Sequence, residues 1–277
     1  MYHSIGNKEN ADRLLNHLYS HISVDSKKFE EHIEYLKKSG HTFISFKDIS
    51  RIKSDNIKKP TIIYFDDGFK DVLENALPIL EKNNIPATIF VVTGILDKTE
   101  MLWTILYKEA LTKQNISLEK QAEMIEKIKT GTEQDRINVM NQFSLKDYQY
   151  LFDIFLSWDD LRNISKRNVH TASHSVSHMR MNELSESDFK KEIAVSKNRT
   201  EEELREKAIS FSFPYGRGSE EMVKELYKTG YSYVVSKGCG INEVNETKNI
   251  YLKNISPKPN DSLMMFKLRL YSLNINK

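Results

Sequence analysis

Short apolar runs alternate with amphipathic stretches along most of this chain. Runs of β-branched and aromatic residues that are apolar on both faces read as buried parallel strands. Stretches with apolar residues three and four apart read as the helices that connect them. Strands are predicted over Tyr2–Ile5, Thr42–Ser45, Thr61–Phe65, Ala87–Val92, Val169–Ser173, Ile209–Phe213, Tyr231–Ser236 and Ile250–Ile255. Among the helices, Ser26–Ser39 places Phe29, Ile33 and Leu36 on one face ahead of a Gly40 stop. Asp71–Lys82 gathers Val72, Leu73, Ala76, Ile79 and Leu80, with Pro78 expected to kink it. Trp158–Lys166 opens with Ser157 and Asp160 at capping-box spacing, Ser185–Glu206 is long and charge-rich, and Glu220–Thr229 precedes Gly230. Such alternation implies an α/β fold built on parallel βα units.

The rhythm breaks between about residues 95 and 157, where the pattern is helical throughout. This stretch reads as a mainly helical insertion on the loop after Val92, either a lid or substrate wall or a plain elaboration. The chain has no internal repeat, low-complexity linker or Pro/Gly-rich boundary, so residues 1–277 are expected to form a single domain carrying that insertion.

Composition narrows the classes. At 277 residues the chain can bury a sizeable core without cross-links. The 41 Lys and Arg nearly balance the 39 Asp and Glu, which gives no hint of nucleic-acid binding. The lone Cys239 excludes an intramolecular disulfide framework and fits a reducing compartment. No apolar run approaches the roughly 20 residues of a membrane span. Met-Tyr-His-Ser-Ile-Gly at the start is not a signal-peptide pattern, so a cytoplasmic location is expected, or an extracellular or envelope one if the sequence is trimmed.

Three segments carry candidate chemistry. Thr61–Phe65 runs directly into Asp66, Asp67 and Gly68. Adjacent acids at a strand end repel one another, and the pair makes sense if one binds a cation and the other works beside it. Asp-Gly is also ordinary turn chemistry. The second segment places His174 and His178 four residues apart after a strand, a spacing that can converge on one ion from a helix turn or a tight loop. Strand ends on one face of a parallel barrel converge, so Asp67 could meet both histidines there. Two imidazoles and one carboxylate are a common catalytic zinc set with open positions left over. The third, Phe213-Pro214-Tyr215-Gly216, could be a plain turn or could aim the Tyr215 backbone N–H at a developing oxyanion.

Phe65-Asp66-Asp67-Gly68, His174-Ser175-Val176-Ser177-His178 and Phe213-Pro214-Tyr215-Gly216 together resemble, in order and spacing, the motifs of the polysaccharide deacetylase family, the NodB-homology or carbohydrate esterase family 4 group. The resemblance runs from Tyr2 to about Ile255. It implies an irregular (β/α)7 barrel and metal-dependent removal of the acetyl group from an N-acetylated sugar or polysaccharide, releasing acetate and a free amine. It also implies Asp67, His174 and His178 as ligands of one divalent ion, Zn2+ by default with Ni2+, Co2+ or Fe2+ as alternatives. Asp66 would be the catalytic base, and Pro214 and Tyr215 would contact substrate.

The opening Tyr2-His3 looks like the branch that includes bacterial poly-N-acetylglucosamine deacetylases. Two positions depart from many members: Ser212 stands where an arginine is common, and no histidine follows His178 to act as general acid. In the Tyr-His branch the N-terminal histidine resembles a replacement for that acid, which carries the role to His3. The Ser212 departure keeps open a glycan-binding or scaffold protein on the same fold, and a non-sugar amide is a further alternative substrate. Trp103 and Trp158 are aromatic platforms that could stack on a sugar ring, with packing the simpler role for Trp158.

Overall fold

The computed structural model describes residues 1–6, 21–236, 238, 242 and 250–271; Cys239 lies outside them. The strands are β1 (Ser4–Gly6), β2 (Ser23–Asp25), β3 (Thr42–Phe43), β4 (Pro60–Thr61), β5 (Ile63–Phe65), β6 (Ala87–Val91), β7 (Val169–Ser173), β8 (Ser210–Ser212), β9 (Tyr233–Ser236) and β10 (Ile250–Lys253). Strands β5 to β10 form one parallel sheet in strictly sequential order. Each new strand adds beside the last with no reversal of order, the arrangement of a winding barrel rather than of an open sheet with a switch point.

The sheet curls into a half-barrel. Tyr64 of β5, Phe90 of β6, Ala172 of β7, Tyr233 of β9 and Leu252 of β10 share one apolar cluster with Ile44, Phe46 and Ile49. Strands from opposite ends of the sheet can meet in one cluster only on a concave face. Phe46 plugs that interior, edge-on to Phe90 at 5.5 Å, and Tyr64 meets the same ring at 5.3 Å. Side chains of the opposite parity pack outward against the helices: Phe65, Ile89 and Val91 join Phe29, Ile33 and Leu161, while Phe211 and Val234 join Phe189, Ile193 and Leu226.

The chain start lies against the β5 edge. Tyr2 bridges Phe65 in parallel, its N–H donating to the Tyr64 carbonyl and its carbonyl accepting from the Asp66 N–H, both at 3.0 Å. The Met1 amine then reaches the Ile255 carbonyl just past β10, at 2.9 Å.

Several expected elements take a different form. Thr61–Phe65 is not one strand: Pro60–Thr61 pairs with Thr42–Phe43 in a small separate sheet, and only Ile63–Phe65 joins the barrel. Ser45 leaves the strand predicted for it because its side chain and backbone N–H engage Asp48 in a capping box. Tyr2–Ile5 divides likewise, with Tyr2 on β5 and Ser4–Gly6 pairing with Ser23–Asp25, a short strand the periodicity does not reveal. Asp71–Lys82 is a π-helical turn over Val72–Ala76 followed by an α-helix over Leu77–Lys82. Pro78, which has no N–H to donate to the residue 74 carbonyl, accounts for the irregular turn before it. The predicted Ser157–Asp160 capping box forms at the start of the Trp158–Ile164 helix. Between β6 and β7 the chain is helical, with segments at Thr93–Leu96, Trp103–Lys113, Leu118–Thr130, Glu133–Met140 and Leu145–Ile154, as the break in the pattern implies. Among the described residues no helix is long and apolar enough to cross a membrane.

His32, on the Ser26–Lys38 helix, is fully buried, with Nδ1 3.1 Å from the Tyr2 hydroxyl and its ring stacked at 4.0 Å on Phe266 of the Leu263–Tyr271 helix. Burial pushes this imidazole down to about 4, against the attraction of Asp261, and Nε2 has no hydrogen-bond partner among the described residues. A lowered folded-state value means that the unfolded chain takes up the proton first. The resulting stability is complete above the unfolded value of about 6.5 and is lost as pH falls from there through 4. Urea unfolding is therefore expected to show a loss of about 1–3 kcal/mol from this group between pH 7 and pH 4. A His32→Leu variant should show a shallower pH dependence over the same range; an unchanged slope would remove His32 from the account.

Candidate active site

The C-terminal ends of β5, β7 and β8 meet at one mouth of the half-barrel, and each carries one of the three predicted segments. At the end of β5, Asp67 and Gly68 are both left-handed, with φ of 72° and 81°. A Cβ on residue 68 would lie 3.3 Å from Val91 Cγ1, so this turn favours glycine both in conformation and in space. Asp66 and Asp67 are nearly fully buried, 4% and 6% exposed.

His174 follows β7 directly, its N–H bonded to the Val91 carbonyl at 2.8 Å. The segment from Ser175 to His178 is a tight loop, not a helix turn. Ser175 and His178 have φ of 71° and 57°, and the His178 N–H donates to Ser175 Oγ at 3.1 Å. Tyr215, in the loop after β8, is left-handed too, with φ of 58°. Non-glycine residues in this region are uncommon, and four of them gather at one mouth, the kind of strain that accumulates at functional sites.

Asp67, His174 and His178 present ligand atoms that all lie within 4.8 Å of one another. The Nε2 atoms of His174 and His178 are 3.4 Å and 3.3 Å from Asp67 Oδ1. Oδ1 is left without a hydrogen-bond partner among the described residues. His174 Nδ1 lies 2.7 Å from the Ser212 carbonyl, a bond that only an Nδ1–H can make, so that in the neutral ring the Nε2 lone pair faces Asp67. Three donor atoms aimed at a common point, with the oxygen among them unsatisfied, fit a bound divalent cation of the His2Asp type.

The two acids are driven apart electrostatically. Burial raises the Asp66 carboxyl, helped by the charge on Asp67 and opposed by His174 and His3. Burial would also raise Asp67, but the two close imidazoles outweigh it and hold this carboxyl well below its ordinary range. The two neighbouring carboxyls are thus shifted in opposite directions, Asp66 up and Asp67 down. Ser212 donates its hydroxyl to Asp66 Oδ2 at 3.3 Å, while Oδ1 has no partner among the described residues. His174 is raised overall, with its burial outweighed by Asp66 and Asp67, whereas burial prevails at His178, which is lowered.

His3 sits half-buried in the bend between Tyr2 and β1, close enough for a charge on its ring to lower both Asp66 and Asp67. Pro214 is buried at the start of the turn that bears Tyr215. The Tyr215 ring packs edge-on to His178 at 4.8 Å, and its hydroxyl accepts from Trp103 Nε1 at 3.1 Å. The Arg136 guanidinium covers the Tyr215 ring at 4.7 Å and the Trp103 ring at 5.1 Å. Arg136 is buried and paired to Glu133 at 3.3 Å, and Glu133 also accepts from the Arg180 N–H at 3.1 Å, two residues past His178. Residues of the helical stretch thus form one wall of the site. Trp158 does not take part: its Nε1 donates to Asp97 at 2.8 Å, and Arg199 lies over its ring. The pattern of the sequence does not single out Arg136, which reads as one more polar residue on an amphipathic helix.

The family model for polysaccharide deacetylases matches residues 53–234, and the chain belongs to that family. It is 23% identical over 244 residues to YxkH of Bacillus subtilis, covering 87% of this chain and 64% of that protein. It is 24% identical over 213 residues to the poly-beta-1,6-N-acetyl-D-glucosamine N-deacetylase of Staphylococcus aureus, covering 76% of this chain and 60% of that protein. The chain thus matches less than two thirds of the length of either relative. Among solved structures, the Streptococcus pyogenes deacetylase PplD, in complex with acetate, shares the fold with a TM-score of 0.64 at 20% identity, over 97% of this chain and 95% of that one.

If the three convergent side chains hold a cation, Asp67→Ala or His178→Ala should weaken zinc retention at least ~10-fold in equilibrium dialysis, because one of only three protein ligands is gone. Retention at the level of the unaltered chain would show that the cation lies elsewhere.

Proposed function

We propose that this chain hydrolyses the N-acetyl group of an amino sugar within an N-acetylated saccharide, giving acetate and a free amine. The observation that carries the reading is the convergence of His174 and His178 Nε2 on an unsatisfied Asp67 Oδ1, beside a second buried carboxylate. Asp67, His174 and His178 would hold one divalent ion. Zinc is the first choice, with nickel, cobalt or iron compatible with the same donors. Such an ion supplies Lewis acidity to an amide carbonyl and brings the pKa of water toward ~7 from about 15.7.

The chain's own groups do the rest. Asp66, raised by burial and held by Ser212, accepts the proton of the attacking water at Oδ1 or Oδ2. The Tyr215 backbone N–H, aimed by its left-handed turn, donates to the oxygen of the former carbonyl as negative charge develops there. His3 gives its proton to the departing nitrogen, so that the C–N bond breaks to a neutral amine and the carboxyl product leaves as acetate. Pro214 and the Trp103–Tyr215–Arg136 wall bound the space for the sugar. We assign the seventh position of the (β/α)7 barrel to the Met1–Tyr2 segment, whose Tyr2 pairs with Phe65 of β5 and whose Met1 amine reaches Ile255. The substrate class is supported by the name of the Staphylococcus aureus relative, a deacetylase of β-1,6-linked N-acetylglucosamine.

The direct test is release of free amine from N-acetylglucosamine oligomers, abolished by a chelator and restored by added zinc. No release under any metal would favour a glycan-binding role on this fold. Asp66→Asn is expected to lower turnover at least ~100-fold while zinc content stays near that of the unaltered chain; loss of the metal instead would make Asp66 a ligand. His3→Ala should lower turnover by a similar factor with metal retained, and near-normal rates would transfer the proton-donor role to another group.

A further inference from the structure

Glu192, on the Glu186–Leu204 helix, is not one of the candidate cation ligands, yet it grips the loop between the two histidines. Its Oε2 accepts from the Val176 N–H at 2.8 Å and from the Ser177 N–H at 3.1 Å, and its Oε1 accepts from the Ser177 hydroxyl at 2.7 Å. The opposite side of the loop is held by the backbone after β6. The Thr93 N–H donates to the Ser175 carbonyl at 3.1 Å and the Gly94 N–H to the Val176 carbonyl at 3.0 Å. A Cβ on residue 94 would lie 2.6 Å from the Val176 oxygen, so only glycine permits that approach.

The loop needs such restraint. Ser175 and His178 both occupy the left-handed region, which an unrestrained serine or histidine seldom populates. His174 is anchored independently by its bond to Ser212. The direction of His178 depends instead on the four-residue loop, with the Ser175 hydroxyl bonded to the His178 N–H and the Tyr215 ring packed against the imidazole. A carboxylate accepting two consecutive backbone N–H groups and the hydroxyl beside them fixes both conformation and height of that loop over the helix.

We propose that Glu192 is a positioning residue for the metal centre, which presets His178 Nε2 against Asp67 and so raises cation affinity without contacting the ion. The inference rests on the assignment of Asp67, His174 and His178 as ligands. It predicts an effect on affinity and little on turnover once the site is filled, since the hydrogen bonds of Glu192 go to Val176 and Ser177 and not to the groups assigned to the reaction.

The test is competition of the folded full chain for zinc against a chromophoric chelator. Glu192→Ala is expected to weaken zinc binding ~10–100-fold, the range seen when outer-shell partners of metal ligands are removed. Glu192→Gln, which keeps one acceptor oxygen, should fall between this variant and the unaltered chain. Amine release at saturating zinc should return to within a few-fold of the unaltered rate. Ser177→Ala, which deletes a single bond at the surface of the loop, is expected to weaken zinc binding a few-fold, and it carries the test should Glu192→Ala fail to fold. Unaltered zinc affinity in both Glu192→Ala and Ser177→Ala would overturn the proposal. So would a turnover defect in Glu192→Ala that persists at saturating zinc. A chain that shows the affinity loss but releases no amine from oligomers would uphold this role while overturning the deacetylase reading.

Discussion

Two carboxylates on consecutive residues, both removed from water, are the constraint around which this molecule is arranged. Neither acid could remain there as an isolated anion, because desolvation alone drives both toward the protonated form. The fold resolves the conflict by giving them unequal neighbours. Asp67 faces two imidazole nitrogens, which hold its carboxyl low, while Asp66 faces a serine hydroxyl and is shifted upward by burial. The left-handed turn at Asp67 and Gly68 makes this division possible, since an extended strand would send successive side chains to opposite faces.

The second consequence is mechanical. The site is assembled from strand ends that arrive in order around a curled sheet, and the loops that continue them are bent into unfavourable backbone conformations. Each bend is braced from outside: Glu192 and the Gly94 N–H hold the histidine loop, and the Phe213 ring packs where a side chain at residue 218 would otherwise sit. The Tyr215 turn is braced through its side chain, by Trp103 and the buried Arg136–Glu133 pair of the helical stretch between β6 and β7. That stretch is therefore part of the site. Its Glu133 also accepts from Arg180, so one buried ionic group links the Tyr215 wall to the chain leaving His178.

Much of the architecture was legible because local pattern and burial agree. The apolar runs at Ala87–Val91 and Val169–Ser173 are strands within one residue of expectation, and the Ser157–Asp160 spacing is a real capping box. The failures occur where a local preference met a stronger partner elsewhere. Ser45 reads as the end of a strand, but Asp48 captures its side chain. Thr61 reads as continuous with Ile63, but its partner is Phe43 in another sheet. Ser23–Asp25 carries no alternation and becomes a strand only because Ser4–Gly6 lies beside it.

At the site, residue identity and spacing singled out the segments that the fold brings together. Adjacent acids at a strand end, two histidines four apart and a Pro-Tyr-Gly turn are spacings written in the chain, and they lie within the stretch that the polysaccharide deacetylase family model matches. Which carboxyl is shifted up and which down, which imidazole nitrogen faces Asp67, and what steadies His178 and Tyr215 were decided only by tertiary structure. Those properties depend on groups far apart in sequence, Ser212 against Asp66 and His174, Glu192 beneath Ser177, and Arg136 over Tyr215. Electrostatic and hydrogen-bonding partners act across a few ångströms of space. The chain brings them that close only after the barrel has curled.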